Sequence, residues 1–106
     1  MFFYHDEAIA TPCEEGVMRR VLSYSEEMML CEITFKKGAA GTVHSHPHLQ
    51  LTYVVSGSFQ FTVNGETKVV NAGDSLCIPS TAVHGTMALE DGVLIDIFHP
   101  KREEFL

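Results

Sequence analysis

The sequence predicts an all-β fold, a single antiparallel barrel of the jelly-roll type. Short apolar runs recur between turn residues along the whole chain of 106 residues. One of the turns is an Asn-Gly pair between two strand patterns, and no long amphipathic helix is visible. Many short strands separated by frequent turns are typical of sandwiches and barrels. A chain of this length can build one modest core, so we expect a single domain over residues 1–106.

The first clear strand is predicted at Met29–Phe35, where residues alternate between apolar and polar. Its apolar face is formed by Met29, Cys31, Ile33 and Phe35. Lys36–Gly41 is rich in glycine and is predicted to be a loop, and Leu51–Gly57 is predicted to be a strand that ends in a turn.

The second half of the chain contains the clearest hairpin, Phe59–Val70, with a type I′ turn at Asn64-Gly65. A turn at Asn71–Asp74 and a short strand at Ser75–Pro79 follow it. The last predicted strand is Val93–Pro100, stopped by its proline. Both faces of this strand are apolar apart from Asp96, so we expect it to be buried on both sides.

The bulk composition excludes several classes of partner. The net charge is −7, and the seven basic residues are scattered, so nucleic-acid binding is not expected. No apolar run is long enough to span a bilayer, and no leader is recognisable at the start. No two of the three cysteines are spaced as a CxxC pair, which favours reduced thiols and a cytoplasmic protein.

The stretch Thr42–Gln50 places a histidine or glutamine at every second position: His44, His46, His48 and Gln50. In a strand these side chains share one face, although Pro47 weakens the alternation beyond His46. Imidazole is a favoured ligand of zinc, nickel, copper and iron, and two histidines at i and i+2 can chelate one ion. The remaining ligands must come from elsewhere, and His84 is the best candidate. The alternative is a polar loop without a metal.

These residues resemble the two sequence motifs of the cupin family. The first motif is matched by Gly38, five residues, His44-Ser45-His46, three residues, Gln50, six residues and Gly57. The second is matched by Gly73, five residues, Pro79, Ser80, Thr81, two residues, His84, three residues and Ala88. Three positions depart from the family pattern: Gln50 replaces glutamate, Thr81 replaces glycine and Ala88 replaces asparagine.

The resemblance implies a cupin-type barrel with a metal in its mouth, held by His44, His46, Gln50 and His84. The metal is a divalent transition ion, and zinc, nickel, iron and manganese all remain open. A glutamine ligand is neutral and leaves the full charge on the ion, which favours Lewis-acid chemistry over oxygen chemistry.

Within the cupins, the chain is similar to the small pectin-degradation proteins of the KdgF type. The likeness lies in the short histidine block with its glutamine, in the small size, and in the ending Asp96–Leu106. The resemblance implies an enzyme that linearises 4,5-unsaturated monouronates, released by pectin and alginate lyases, to open-chain keto sugars. It assigns Asp96 and Arg102 to catalysis, and Arg102 with Phe98 to substrate binding.

The chemistry of these side chains supports the roles, but each residue also has a structural interpretation that remains open. A carboxylate among apolar neighbours is unfavourable unless it is paired or functional, so Asp96 is either a structural hydrogen-bonding group or a proton carrier. Arg102 can bind a carboxylate through two hydrogen bonds, or simply be solvated in the charged tail. Phe98 suits the core equally well, and His48 is expected at the rim of the site, where it either donates to a substrate hydroxyl or orients a ligand.

Two other functions remain open from sequence: a non-catalytic cupin that binds a sugar or another small molecule, and an iron dioxygenase. The glutamine ligand argues against the dioxygenase. Family resemblance also implies a homodimer, and the apolar start Met1–Tyr4 is a candidate for an exchanged strand or a dimer contact.

Overall fold

The computed structural model describes residues 1–106, which form ten strands and two short 3₁₀ turns. The 3₁₀ turns are His5–Glu7 and Glu103–Phe105. The strands are β1 Thr11–Pro12, β2 Val17–Tyr24, β3 Met29–Phe35, β4 Ala40–His44, β5 Leu49–Ser56, β6 Ser58–Val63, β7 Glu66–Asn71, β8 Ser75–Ile78, β9 His84–Ala88 and β10 Gly92–His99. No helix in this structure has the length and apolar character needed to cross a membrane.

The strands form two antiparallel sheets, which confirms the predicted all-β, jelly-roll class. One sheet has the order β1-β2-β3-β10-β5-β8 and the other the order β4-β9-β6-β7. The hydrophobic core draws on strands of both sheets, and its members are Val17, Met29, Cys31, Ile33, Phe35, Val54, Phe59, Phe61, Ile78, Ala82, Ala88, Leu94 and Phe98. The apolar side chains of both inner faces are thereby removed from water, as expected for two stacked sheets.

The alternation predicted for Met29–Phe35 is confirmed in detail. Residues 29, 31, 33 and 35 are buried, whereas the residues between them are only half-buried. The hairpin is confirmed as well: β6 pairs with β7, and Asn64 and Gly65 both have positive φ, at 48° and 83°. A type I′ turn requires this conformation at both central residues, and asparagine and glycine tolerate it best.

Burial on both sides of the last strand was predicted wrongly. Leu94 and Phe98 of β10 are buried against the core, but Val93, Ile95 and Ile97 on the other face are only half-buried. That face belongs to the outside of the six-stranded sheet, where no second layer of this chain covers it. Cys77 of β8 is likewise exposed, whereas Cys31 is fully buried and behaves as a small hydrophobic residue.

Strand boundaries near the histidines also differ from the expectation. β4 begins at Ala40, inside the predicted loop, and ends at His44, and β5 begins at Leu49. The histidine stretch is therefore not one continuous strand, since residues 45–48 form an irregular connection around Pro47. Three strands, β1, β2 and β9, were not predicted, because β1 has only two residues and the other two carried no clear alternation.

Gly57 shows why the first motif ends in glycine. Its φ is +84°, and a Cβ atom there would lie 2.6 Å from the carbonyl oxygen of Asp91. The β5–β6 turn thus passes so close to Asp91 that only glycine fits. Thr81, which stands where the second motif has glycine, also has a positive φ of 65°. This departure from the pattern therefore changed the residue and kept the backbone conformation.

Candidate metal centre

Three histidines converge at one end of the barrel. His44 ends β4 and pairs with His84, the first residue of the neighbouring β9. His46 lies in the connection that follows, and its ring centroid is 4.9 Å from that of His84. One side-chain nitrogen from each histidine can be chosen so that all three lie within 4.8 Å of one another. His46 and His84 are buried and His44 is exposed, so the cluster opens to solvent on one side.

Backbone carbonyls fix which nitrogen of each ring is available. Each of the three histidines donates from Nδ1 to a carbonyl oxygen over 2.5 to 3.0 Å, and the acceptors belong to Thr42, His48 and Ala82. A carbonyl can only accept, so Nδ1 carries the proton and Nε2 presents its lone pair. Metal-binding histidines are held in this tautomer by the same kind of bond.

Gln50 adds an oxygen to the cluster. Its Oε1 lies 3.0 Å from His46 Nε2, while its amide nitrogen donates to Thr52 Oγ1 over 2.9 Å. The single hydroxyl proton of Thr52 is donated in turn to Asp96 Oδ1 over 2.7 Å. Because the amide nitrogen of Gln50 is used in the bond to Thr52, its amide oxygen faces the Nε2 lone pair of His46. Two acceptors that face each other repel unless a proton or a metal cation lies between them, and the donor set fits a metal ion.

Burial keeps the buried histidines in the neutral form that binds metals. Desolvation lowers the pKa of His46 and of His84 below the ordinary value of 6.5. The backbone carbonyls that accept from the two rings, and the Gln50 amide oxygen beside His46, raise these pKa values and are outweighed. Three neutral imidazoles and one neutral amide would leave the full charge of a divalent ion uncompensated.

Asp96 is held beside this cluster by strand pairing. It lies on β10 directly opposite Thr52 of β5, in the sheet that also carries Gln50. Burial raises the pKa of Asp96 to about 6, against hydrogen bonds from Thr52 and Gln50 and the charge of Arg102, which lower it. A carboxyl group with this pKa is present in both protonation states near neutral pH, which suits a proton carrier.

The C-terminal tail carries Arg102 to the same pocket. Its side chain is 13% exposed, and its Nη2 lies 3.2 Å from Glu104 Oε2. The Arg102 guanidinium carbon lies 5.1 Å from the ring centroid of Phe98 and 4.2 Å from that of Phe105. Phe98 is 2% exposed and packs edge-on against His46 with the ring centroids 5.7 Å apart.

A cavity of about 450 Å³ joins these groups. Its lining includes His44, Gln50, His84, Asp96, Phe98 and Arg102. His46 lies behind this surface and reaches the cluster from its buried side. The structure thus brings together every residue predicted from sequence except His48.

His48 lies outside the cavity lining. Its ring stands edge-on to that of His46 with centroids 5.6 Å apart, and its carbonyl accepts the Nδ1 proton of His46. The Nδ1 atom of His48 is buried and has no hydrogen-bond partner. The geometry supports an orienting role for the His48 backbone more than a substrate contact.

Sequence reasoning missed three residues near the site: Thr52, Arg19 and Phe105. Thr52 could have been predicted, because in a strand that starts before Gln50 the side chain of residue 52 lies on the same face as that of Gln50. Arg19 lies on β2, which carried no strand pattern, and Phe105 lies in the charged tail.

Comparison with known proteins agrees with the fold. Residues 31–98 match the family model described as the cupin domain. The chain is 41% identical to the pectin degradation protein KdgF of Dickeya dadantii over 110 residues, which covers 99% of this chain and 97% of that protein.

Two solved structures are similar over almost their whole length. An RmlC-like cupin from Shewanella frigidimarina superposes with a TM-score of 0.94 at 40% identity, covering 99% of this chain and 95% of that one. KdgF from a Halomonas species superposes with a TM-score of 0.94 at 35% identity, covering 100% and 98%. The chain therefore belongs to the cupin family and, within it, to the small single-domain cupins of the KdgF type.

Proposed function

We propose that this chain is a metal-dependent enzyme that converts 4,5-unsaturated monouronates from pectin and alginate lysis to linear keto sugars. The observation that supports this most directly is that one cavity brings together a histidine cluster able to hold a metal, the half-buried Asp96 carboxyl and Arg102. The relative from Dickeya dadantii is a pectin degradation protein, which supports the substrate class.

The proposed metal ligands are His44, His46, Gln50 and His84. Their donor atoms are the three histidine nitrogens and the Gln50 amide oxygen, which already lies 3.0 Å from His46 Nε2. A divalent ion, when bound, supplies Lewis-acid stabilisation of negative charge on a substrate oxygen. Zinc, nickel, iron and manganese all accept such ligands, so the donor set alone does not select the ion.

Asp96 is the proposed proton carrier. Linearisation is an isomerisation: the C1 hydroxyl loses its proton, the bond between C1 and the ring oxygen breaks, and the ring oxygen leaves as an enolate on C5. Protonation of C4 then gives the ketone. A carboxylate that accepts the first proton and returns it to C4 balances the reaction without a co-reactant. Its pKa of about 6 makes both transfers accessible near neutral pH.

Arg102 is proposed to hold the uronate carboxylate. A guanidinium group matches a carboxylate with two parallel hydrogen bonds. Its present partner, Glu104, has a side chain that is 54% exposed, so this ion pair contributes little and can yield to a substrate. Phe98 is proposed to form the apolar floor beneath the sugar, and His48 to orient His46 and to contact the substrate only at the rim.

We further propose a homodimer in the cytoplasm. Three unpaired cysteines favour a reducing compartment. Leu49, Leu51, Tyr53 and Val55 form an apolar row on the outer side of β5, and each is 47% to 53% exposed. Met1–Tyr4 form no strand within the chain; Phe3 packs on Tyr24 with ring centroids 5.4 Å apart, and its neighbours are exposed. An apolar sheet face of this kind is suited to contact with a second copy.

The test is to incubate metal-loaded protein with unsaturated galacturonate and with the unsaturated monomer from alginate, and to follow loss of the conjugated-alkene absorbance. We expect faster loss than the spontaneous reaction, abolished by His46→Ala and strongly reduced by Asp96→Asn, with Arg102→Ala raising KM. Absence of acceleration by metal-replete protein would overturn the proposal. Thermal shifts with sugar acids but no turnover would then indicate a binding protein, and oxygen uptake with iron would indicate a dioxygenase.

A further inference from the structure

A second arginine, Arg19 of β2, lines the same cavity as His44 and Asp96. No carboxylate lies within ion-pair distance of it, although the chain carries 14 acidic residues. Its only side-chain hydrogen bond runs from Nη1 to Cys13 Sγ over 3.4 Å. Sulfur is a weak acceptor, so most of the donor capacity of this guanidinium is unused.

The adjacent Arg20 has an acidic partner, so the lack of one is a feature of position 19 and not of the whole strand. Arg20 lies 3.6 Å from Glu32 Oε1 and is absent from the cavity lining. Successive strand residues point to opposite faces, so β2 directs one arginine to an acidic neighbour and the other into the cavity. The net charge of the protein is −7, and an unpaired arginine in a pocket makes the electrostatic potential there locally positive.

Phe105 brings Arg19 and Arg102 together. The guanidinium carbons of Arg19 and Arg102 lie 3.7 Å and 4.2 Å from the centroid of its ring. Stacking against an aromatic face restricts a guanidinium while leaving its N–H edge free for hydrogen bonds. Phe105 is itself anchored by an edge-on contact with Phe98 at 5.8 Å. Two guanidinium groups are thus held on one ring at the same cavity.

We propose that Arg19 is a second anion-binding residue of this pocket and contacts the carboxylate of a sugar acid together with Arg102. The paired arginines make the pocket selective for sugar acids over neutral sugars of the same shape. The identity of the ligand as a uronate rests on the proposed function, whereas the preference for a carboxylate rests on the two guanidinium groups.

The test compares Arg19→Met with Arg20→Met. Methionine keeps much of the length and apolar character of the arginine stem and removes the charge and the donors. Binding of galacturonate and of galactose is measured by titration calorimetry on metal-loaded protein; both are saturated sugars and lack the alkene that the proposed reaction consumes. We expect Arg19→Met to weaken galacturonate binding about tenfold or more, with little effect on galactose, and Arg19→Lys to restore part of the affinity. Arg20→Met should bind both sugars as the wild type does.

The outcomes separate this inference from the proposed function. Galacturonate binding that depends on Arg19, in a protein that does not consume unsaturated uronates, would support the inference and reject the function. Turnover by the wild type together with unchanged galacturonate affinity in Arg19→Met would reject the inference alone. Equal losses in Arg19→Met and Arg20→Met, or no preference of the wild type for galacturonate over galactose, would also reject it.

Discussion

The hydroxyl of Thr52 donates to Asp96 Oδ1 over 2.7 Å, and Thr52 Oγ1 accepts from the amide nitrogen of Gln50 over 2.9 Å. One buried threonine therefore connects the proposed proton carrier to a proposed metal ligand. Thr52 is 1% exposed, so water does not compete for these bonds. Because an amide side chain can rotate by a half turn, it is Thr52 that decides whether Gln50 presents oxygen or nitrogen to His46.

We predict that Thr52→Val weakens metal binding and slows turnover while the fold is kept. Valine has nearly the same shape but leaves the Gln50 amide free to turn, and it removes a donor from Asp96. Loss of such an orienting partner typically lowers metal affinity by about 10- to 100-fold. The pKa of Asp96 should rise further, because the hydrogen bond from Thr52 lowers it. Chelator competition and the pH profile of turnover measure the two effects.

Thr62→Val is the matched control for this substitution. Thr62 shares a hydrogen bond of 2.8 Å with Thr67 on the exposed hairpin, away from the cavity. It should leave metal affinity and the pH profile unchanged. A Thr52→Val protein that behaves like Thr62→Val would contradict the orienting role.

A second prediction concerns the dependence of stability on pH. The folded-state pKa of Asp96 is raised from 3.8 to about 6, so between these values the folded protein binds more protons than the unfolded chain. The contribution of Asp96 is therefore most favourable below pH 4 and is lost as the pH rises through about 6, by about 2–3 kcal/mol in all. Asp96→Asn removes this loss, so the variant should gain stability relative to the wild type at pH 8 and not at pH 4, while losing activity.

Urea unfolding of metal-free protein at several pH values measures this difference. His46 and His84 act in the opposite direction, because their lowered pKa values make stability rise with pH below about 6.5. Both histidines are present in the wild type and in Asp96→Asn, so their contribution cancels when the free energies of unfolding of the two proteins are subtracted. Asp6→Asn, which alters a fully exposed carboxylate, serves as the control. A difference that does not change between pH 4 and pH 8 would argue against a raised pKa of the Asp96 carboxyl.

The sequence predicted most of the strands because burial alternates along them. Met29–Phe35 and the Asn64-Gly65 hairpin could be placed from local pattern alone, since side-chain alternation and turn conformation are local properties. β2 could not, because its inward face combines the core residues Val17 and Val21 with Arg19, an arginine that faces the cavity. A charged residue in a functional pocket disturbs the pattern by which strands are recognised.

The histidine cluster was predicted from the motif spacing, but the groups that orient it were not. Positions 44, 46, 50 and 84 lie together because β4 pairs with β9 and because residues 45–48 turn back between β4 and β5. Asp96 and Thr52 are brought into contact by the pairing of β5 with β10, across 44 residues of sequence. Register between distant strands cannot be deduced from one sequence without knowledge of which strands are neighbours.

A third prediction separates the proposed ligands from their neighbour in the same histidine block. His84→Ala should abolish stoichiometric metal binding, because it removes one of the three clustered nitrogens. His48→Ala should retain it, because His46 hydrogen-bonds to the backbone carbonyl of residue 48 and not to its ring. Metal content after dialysis, measured by mass spectrometry, tests both variants. Equal metal loss in the two would show that the block binds metal as a flexible histidine tract.

The last prediction concerns the outer face of β5. Leu51 is 53% exposed there and lies beside Ile97 of β10, and Tyr53 lies beside Ile95 in the same register. If a second copy covers this face, Leu51→Lys places a charge in the interface and should convert the dimer to a monomer in sedimentation velocity, with the fold intact by circular dichroism. Val69→Lys on β7 of the other sheet, a residue that is 54% exposed, should leave the mass unchanged. A wild-type monomer, or a dimer that survives Leu51→Lys, would show that this face is not the site of self-association.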